Sequence, residues 1–494
     1  MKIIQALKKQ YKHHHLILAG ILLLTFVLRF PSLFEPFWYG DEGIFAAVAR
    51  NLNLGGVLYE TAWDNKPPMI YLTYQAIFAT FGVSMFWLRL VTIVVVLGTA
   101  AVIYEIGQAV LGEKRALVAS FIFGLITSLR LVEGNLALTE IFMVLPITLA
   151  MLVAIKRNFD LPSLFAAGFL FAIASLYKQV GALEAVALGI FVFLYLKSIK
   201  QIFYSAIMMG VGFAIPYVVT VLYFAPKKLV DDYIFAAYTY YRIYLQESPK
   251  YAIFINAAKF MAPASAILYG LFNKVRGKVE ISHLFLLWLG FSFLGSYFSG
   301  RTYGHYLIQA APAVALTIAS IKLPVKLTKA GAIFAIFFFV PLIFLTQTLF
   351  RDFLSGGPLN QFKYWANFLD YARGNKSTAD YNNYFDGGVN SIMGTLDFLK
   401  ASGGAGKTVY IWGDWPWLYA IGDLWNPSRY VTSFHVFGVP DGKREVEEDL
   451  RANLPVFIIK PKSSIGYFEA LEKILSSHYT FVAKVEGSEV WQRK

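Results

Sequence analysis

Asp41 and Glu42 stand side by side in PFWYGDEGIFAAVARNL, and Asp64 and Lys66 follow in WDNKPPMIYL, just past the first long apolar run. Farther along, Glu133 and Glu140 bracket RLVEGNLALTE, Lys178 sits in LYKQ, and Arg301, Tyr303, His305 and Tyr306 fill GRTYGHY. Ionisable groups against membrane ends are costly and mark functional positions. A mixed set of acids and bases at one membrane face suits group transfer on a lipid phosphate. A carboxylate takes the proton of an acceptor, while Lys, Arg and His hold the anion that departs.

Each group also has a plainer reading. GDEGIFAAVARNL patterns as a short amphipathic helix from Asp41, with Ile44, Ala47 and Val48 on one face and Arg50 opposite. An aspartate there accepts backbone N–H bonds and stays ionised, as a general base must, or it is only a cap. Two prolines after Lys66 fix the backbone and present the ammonium rigidly; the alternative is a lysine snorkelling to an interface. Glu133 and Glu140 share one face if their segment is helical, and Glu140 opens the next helix; solvated helix ends also hold such acids. Arg301 is a bidentate phosphate ligand with His305 a second donor, against a structural histidine.

The elements that must carry these residues are membrane helices. Of 494 residues 57% are hydrophobic and 15% charged, with mean hydropathy +0.54, where soluble domains run roughly 45–50% apolar. The net charge of +13 sits in short Lys/Arg clusters between apolar runs, which reports topology and not a nucleic-acid partner. The lack of cysteine excludes disulfides, thiolate metal sites and Cys nucleophiles. The basic start lacks a small-x-small cleavage site and reads as an uncleaved first helix with a cytoplasmic N-terminus. Adjacent His13, His14 and His15 point to different helix faces and read as interfacial polar residues.

Apolar runs fall near 16–30, 86–111, 116–130, 141–156, 161–177, 180–197, 202–224, 251–272, 281–299, 303–320 and 330–349, about eleven crossings. The alternate connections GEKR at 112, KRNFD at 156, KSIKQ at 197, NKVRGK at 273 and KLPVKLTK at 322 are lysine-rich, hence cytoplasmic. The other set then lies outside, with the carboxylates and everything after 350. This parity requires PPMIYLTYQAIFATFG, residues 67–82, to be re-entrant or interfacial. The Tyr-rich 233–251 reads as an outer interfacial lid, against the ordinary enrichment of Tyr at membrane boundaries.

From 351 the pattern changes to a small α/β domain. Strands are expected at TVYIWGD, YVTSF, PVFIIKP and TFVAKV, with helices at 389–401, 441–453 and 465–477. GAGKT is not a phosphate loop, since Ala401 stands where that motif needs Gly and no strand precedes it.

The acid loop followed by Lys-Pro-Pro, with LALTE, LYKQ and GRTYGHYLIQ behind it, resembles the GT-C glycosyltransferases related to protein O-mannosyltransferases and the lipid A aminoarabinose transferase. The resemblance covers most of residues 1–350. It implies a polytopic α-helical GT-C membrane domain over 1–350, whose outer loop 31–85 carries interfacial helices, and leaves 351–494 as an extracytoplasmic α/β domain without an assigned role. It implies an inverting transfer of a sugar from a polyprenyl-phosphate-linked donor to a hydroxyl or amine on the outer face of the plasma membrane.

By resemblance Asp41 matches the essential loop aspartate, Lys66 the lysine near the donor phosphate, and Arg301 with His305 the polar end of a late membrane helix. Glu140 stands where many members carry Asp after Thr. The expected catalytic set is Asp41, Glu42 and Glu140. Lys66, Arg301, His305 and Lys178 would bind the donor phosphate, with Asp64, Glu133, Tyr303 and Tyr306 beside them. No metal is obligate, although Asp41, Glu42 and Glu140 could hold Mg or Mn. The partners are the lipid-linked donor, an acceptor the sequence does not name, and membrane lipids. A lipid flippase or secondary transporter would place its charges near mid-membrane in repeated halves, and no repeat is visible. A non-catalytic membrane subunit gives no reason for the acid and lysine loop.

Overall fold

The computed structural model describes residues 2–244, 252–322, 328–355, 357–462 and 466–494. The end of the Tyr-rich stretch, 245–251, and most of the KLPVKLTK connection, 323–327, lie outside the described residues. The chain forms two compact units. The first comprises Met1–Phe30, Leu90–Tyr223 and Glu247–Phe362; the second comprises Pro31–Arg89, Phe224–Gln246 and Lys363–Lys494.

The first unit is helical, and the apolar runs all fall on helices. Among the described residues five helices are long and apolar enough to cross a membrane: His13–Phe34, Met85–Leu111, Thr139–Lys156, Ile199–Lys227 and Phe254–Val275. Shorter apolar helices include Leu161–Ser175, Gln179–Tyr195, Ser282–Ser296 and Lys329–Leu345. The chain is a multi-pass membrane protein. Some of the runs are shortened because part of their length is 3-10 helix, as at Gln179–Ala182 and Gly304–Ala310.

Apolar helices in lipid gain little from burying grease, so small residues that admit close backbones decide which pairs pack. A Cβ on Gly168 would strike the backbone at Met209, and one on Gly212 would strike Phe165, so the helices Leu161–Ser175 and Ile199–Phe224 touch backbone to backbone. Polar contacts tie the basic ends of these helices: His14 of the first helix pairs with Glu113, Lys156 with Glu105 of the helix Met85–Leu111, and Lys274 donates to the Leu196 carbonyl at 3.3 Å.

The second unit gathers the 31–89 segment onto a four-stranded sheet. Strands β1 (Val409–Ile411) and β2 (Phe457–Lys460) run parallel, while β3 (Tyr479–Val485) and β4 (Ser488–Arg493) complete the order β1-β2-β4-β3 with antiparallel pairings. Strand β4 escaped the sequence reading. It returns through Glu486 and Gly487, both at positive φ (47° and 88°), a two-residue hairpin turn.

YVTSF is not a strand. Tyr430 makes one isolated bridge to Trp63, and a helix, Ser433–Gly438, begins where the Thr432 hydroxyl accepts the His435 N–H. A capping threonine outweighed the local β-propensity. The core of this unit combines Leu396, Leu399, Ile411, Leu418, Ile459 and Val490 with Ala47 of the loop helix Gly40–Asn53. That helix lies tight on the C-terminal segment: a Cβ on Gly43 would come within 2.8 Å of the Trp417 ring, whose indole N–H donates to the Tyr39 carbonyl at 2.9 Å. The 67–82 stretch forms the helix Met69–Phe81, about 20 Å long at ~1.5 Å per residue and short of a ~30 Å hydrocarbon core.

Candidate active site

Asp41 and Glu42 enter the same helical turn but point about 100° apart, and they meet different fates. Glu42 is fully buried and bound by both guanidinium nitrogens of Arg89, with Oε2 at 2.8 Å from Nη2. The same Nη2 donates to Glu35 at 3.0 Å, and Glu35 also accepts from Tyr364 at 2.6 Å and Trp38 at 3.2 Å. Asp41 is half-buried, and its carboxylate accepts no hydrogen bond among the described residues. It is not the cap its position invites, because the helix starts at Gly40 behind Tyr39 with no side-chain cap.

The DNKPP loop is held from several sides. Asp64, 2% exposed, accepts from the Tyr71 hydroxyl at 2.7 Å and lies 3.4 Å from His435 Nε2. Tyr71 in turn accepts the Lys66 backbone N–H at 3.2 Å, and the Tyr59 hydroxyl donates to the Lys66 carbonyl at 2.7 Å. The Lys66 ammonium donates to Asn65 at 2.7 Å. With Pro67 and Pro68 fixing φ beyond it, Lys66 has little backbone freedom.

His435 reaches this loop from the far end of the sequence. Thr432 Oγ1 is 3.1 Å from its Nδ1, so a neutral imidazole protonated at Nε2 satisfies both partners. Burial pushes His435 below the usual histidine range; Lys66 adds to that, while Asp64, Asp414 and Asp41 oppose it. Asp41, Asp64, Lys66 and His435 thus share one electrostatic neighbourhood.

The first unit holds the other residues. Glu140, 2% exposed, pairs with Lys178 and accepts from Thr139 at 2.9 Å; the Lys178 ammonium lies 3.6 Å from the centre of the Tyr306 ring. His305 pairs through Nδ1 with Glu133, stacks on Tyr303 and meets Tyr306 edge-on at 4.8 Å. Glu133 and Glu140 do not share a helical face. Glu133 is the left-handed C-cap (φ 51°) of the 3-10 turn Arg130–Val132, and the next helix begins only at Thr139. Arg301 is half-buried, four residues before His305.

Among the described residues no three His, Asp or Glu side chains are grouped as metal ligands. Glu42 and Glu140 are each bound instead by a side-chain cation, Arg89 and Lys178. Sequence reasoning missed Glu35, Arg89, Tyr71, Tyr364 and His435. Arg89 had a readable signal, a lone charge in MFWLRLVTIVVV that must find a counter-ion.

Residues 65–224 match the family model of the dolichyl-phosphate-mannose-protein mannosyltransferases, a stretch holding Lys66, Glu140 and Lys178. An uncharacterised protein of Aquifex aeolicus (strain VF5) is 23% identical over 347 residues, 67% of this chain and 68% of that one. The fold is similar to that of ArnT from Cupriavidus metallidurans. In its apo state the TM-score is 0.57 at 14% identity, covering 96% of this chain and 97% of that one; bound to undecaprenyl phosphate, 0.53 at 13%. The resemblance carried by the acid and lysine loop is therefore shown at the level of fold, which is similar to that of ArnT, while the mannosyltransferase family model matches about a third of the chain.

Proposed function

We propose that the protein is an inverting glycosyltransferase that moves a sugar from a polyprenyl-phosphate-linked donor to an acceptor hydroxyl or amine outside the cytoplasm. The observation that carries this reading is Asp41: a half-buried carboxylate that accepts no hydrogen bond among the described residues, in one electrostatic neighbourhood with the tightly held Lys66. A base awaiting an exogenous O–H or N–H has this form. ArnT bound to undecaprenyl phosphate, a structure of the same fold, supports the choice of donor.

Asp41 takes the acceptor's proton as its oxygen or nitrogen bonds to C1 of the sugar. The C1–O bond breaks on the opposite face, and the electron pair leaves with the polyprenyl phosphate. Phosphate departs without a general acid, and in the second unit Lys66 is the group assigned to its charge. In the first unit the resemblance assigns the same role to Arg301, His305 and Lys178, and Glu140 holds Lys178. Glu42 positions Asp41 through its bond to Arg89. No metal is required in this scheme.

The contacts within the first unit support the orientation. Basic connections touch one another, as where Lys274 of NKVRGK reaches the Leu196 carbonyl beside KSIKQ, whereas the 130, 177 and 299 connections meet through Glu133 with His305 and Lys178 with Tyr306. Lysine-rich loops stay cytoplasmic, so the end of the first unit that holds Glu133, Lys178 and His305 is assigned to the outer face.

The test is release of polyprenyl phosphate from a panel of polyprenyl-phosphate sugars by purified protein in chelator, native against Asp41→Asn. Native release with a loss of about 10²–10⁴-fold in the variant is expected. No release from any donor by folded protein supplied with membrane extract as acceptor would sink the reading.

A further inference from the structure

A cleft of about 420 Å³ opens in the second unit between the 51–61 loop and the 425–449 segment. Its lining includes Asn51, Glu60, Trp425, Arg429, Glu448 and Asp449. Trp425 is 37% exposed, unusual for so large an apolar ring unless it offers a face. Among the described residues the Trp425 indole N–H, the Asn51 side-chain amide N–H₂ and the Glu60 carboxylate make no hydrogen bond within the chain.

The walls are set in advance. Thr61 Oγ1 accepts the Val57 N–H at 2.8 Å and donates to Asn51 Oδ1 at 2.7 Å, and the Trp63 N–H donates to the Arg429 carbonyl at 2.9 Å, joining the two segments. A preformed cleft that combines an aromatic face with unspent donors and acceptors has the chemistry of a hydroxyl-rich ring. The ring's C–H face packs on the indole while its hydroxyls bond to amide and carboxylate.

Charge narrows the choice. Arg429 is already paired with Glu445, at 2.9 Å, and Asp232, at 3.2 Å, so its charge is spent. Glu448 is likewise paired, with Arg444 at 2.8 Å, so Glu60 and Asp449 leave the cleft negative, which disfavours phosphates and uronates. We propose that this cleft binds an uncharged saccharide unit, the sugar portion of the acceptor. The acceptor role rests on the glycosyltransferase reading; saccharide binding does not.

The full-length protein in detergent is titrated with neutral mono- and disaccharides, with a sugar phosphate, a uronate and a short lysine peptide as controls, by saturation-transfer NMR. Trp425→Ala and Glu60→Gln, both at exposed positions, are tested beside it, and donor turnover is measured on the same samples. Saturable binding of a neutral sugar, weakened about tenfold or more in Trp425→Ala and weakened in Glu60→Gln, is the expected result. If such binding is present but no donor is turned over, the cleft stands and the transferase reading fails. If donor is turned over while no sugar binds in a Trp425-dependent way, or if only the lysine peptide or the anions bind, the cleft proposal is overturned.

Discussion

At the scale of single residues, the buried Arg89 decides how the acid loop is built. Its guanidinium holds Glu42 and Glu35 where none of the three is exposed to water by more than 3%. Removing one partner of such a set leaves a buried charge uncompensated, at about 3–5 kcal/mol, whereas replacing the whole set with apolar groups is far milder. Arg89→Met should therefore lower unfolding stability by about 3–5 kcal/mol, and Glu35→Gln with Glu42→Gln in the same chain should restore much of it. Thermal unfolding in detergent decides this, and equal stability of native and Arg89→Met would refute the account. His435 gives a pH signature. Its folded pKa is depressed, chiefly by burial, so the folded state binds fewer protons than the unfolded one below the ordinary value of about 6.5. The associated stability is complete above that value and is lost as pH falls toward the folded pKa. His435→Gln should flatten this acid-side slope of the unfolding temperature; an unchanged slope would assign it to other groups.

At the scale of elements, close backbones do what apolar faces cannot. Gly168 and Gly212 each abut the other helix's main chain, and Ser175 and Tyr217 bond at 2.7 Å farther along the same pair. A side chain forced into this contact must push the helices apart. Gly212→Val is expected to cost about 1–3 kcal/mol and to weaken the Ser175–Tyr217 bond, read as faster amide exchange around both residues. Unaltered exchange would mean the helices tolerate the spacing. Elements of this kind were legible where the signal was local: the apolar runs, the helix after Tyr39, the helix at 389–401 and the strands around 409 and 457. Thr432 reads by its β-propensity as strand when its capping hydroxyl matters more, and the shared face that Glu133 and Glu140 would have on a helix is lost because Glu133 is left-handed. The site was legible only in its near pieces. Asp64 and Lys66 lie in one pentapeptide, but His435 is 371 positions from Asp64, and no periodicity carries a contact across that distance.

At the scale of the whole molecule, the compact units do not follow the chain. The composition shift near 350 invites a cut there, yet the core that holds Leu418 and Val490 also holds Ala47. Trp417, 2% exposed, lies against Gly43 and donates to Tyr39, and Tyr430 pairs with Trp63. A fragment of residues 351–494 alone would bare this face, and few elements remain to cover it: four strands of three to seven residues and a handful of helices. Small sheets need a covered apolar face for independent stability, and the cover here is the loop helix Gly40–Asn53. The fragment is therefore expected to be loosely packed, with poorly dispersed amide resonances and fast exchange in β1 and β2. Adding a peptide spanning 36–66 should slow that exchange by ordering the Trp417 and His435 contacts. A well-dispersed, slowly exchanging 351–494 fragment on its own would show instead that the loop is a passenger on a self-sufficient domain.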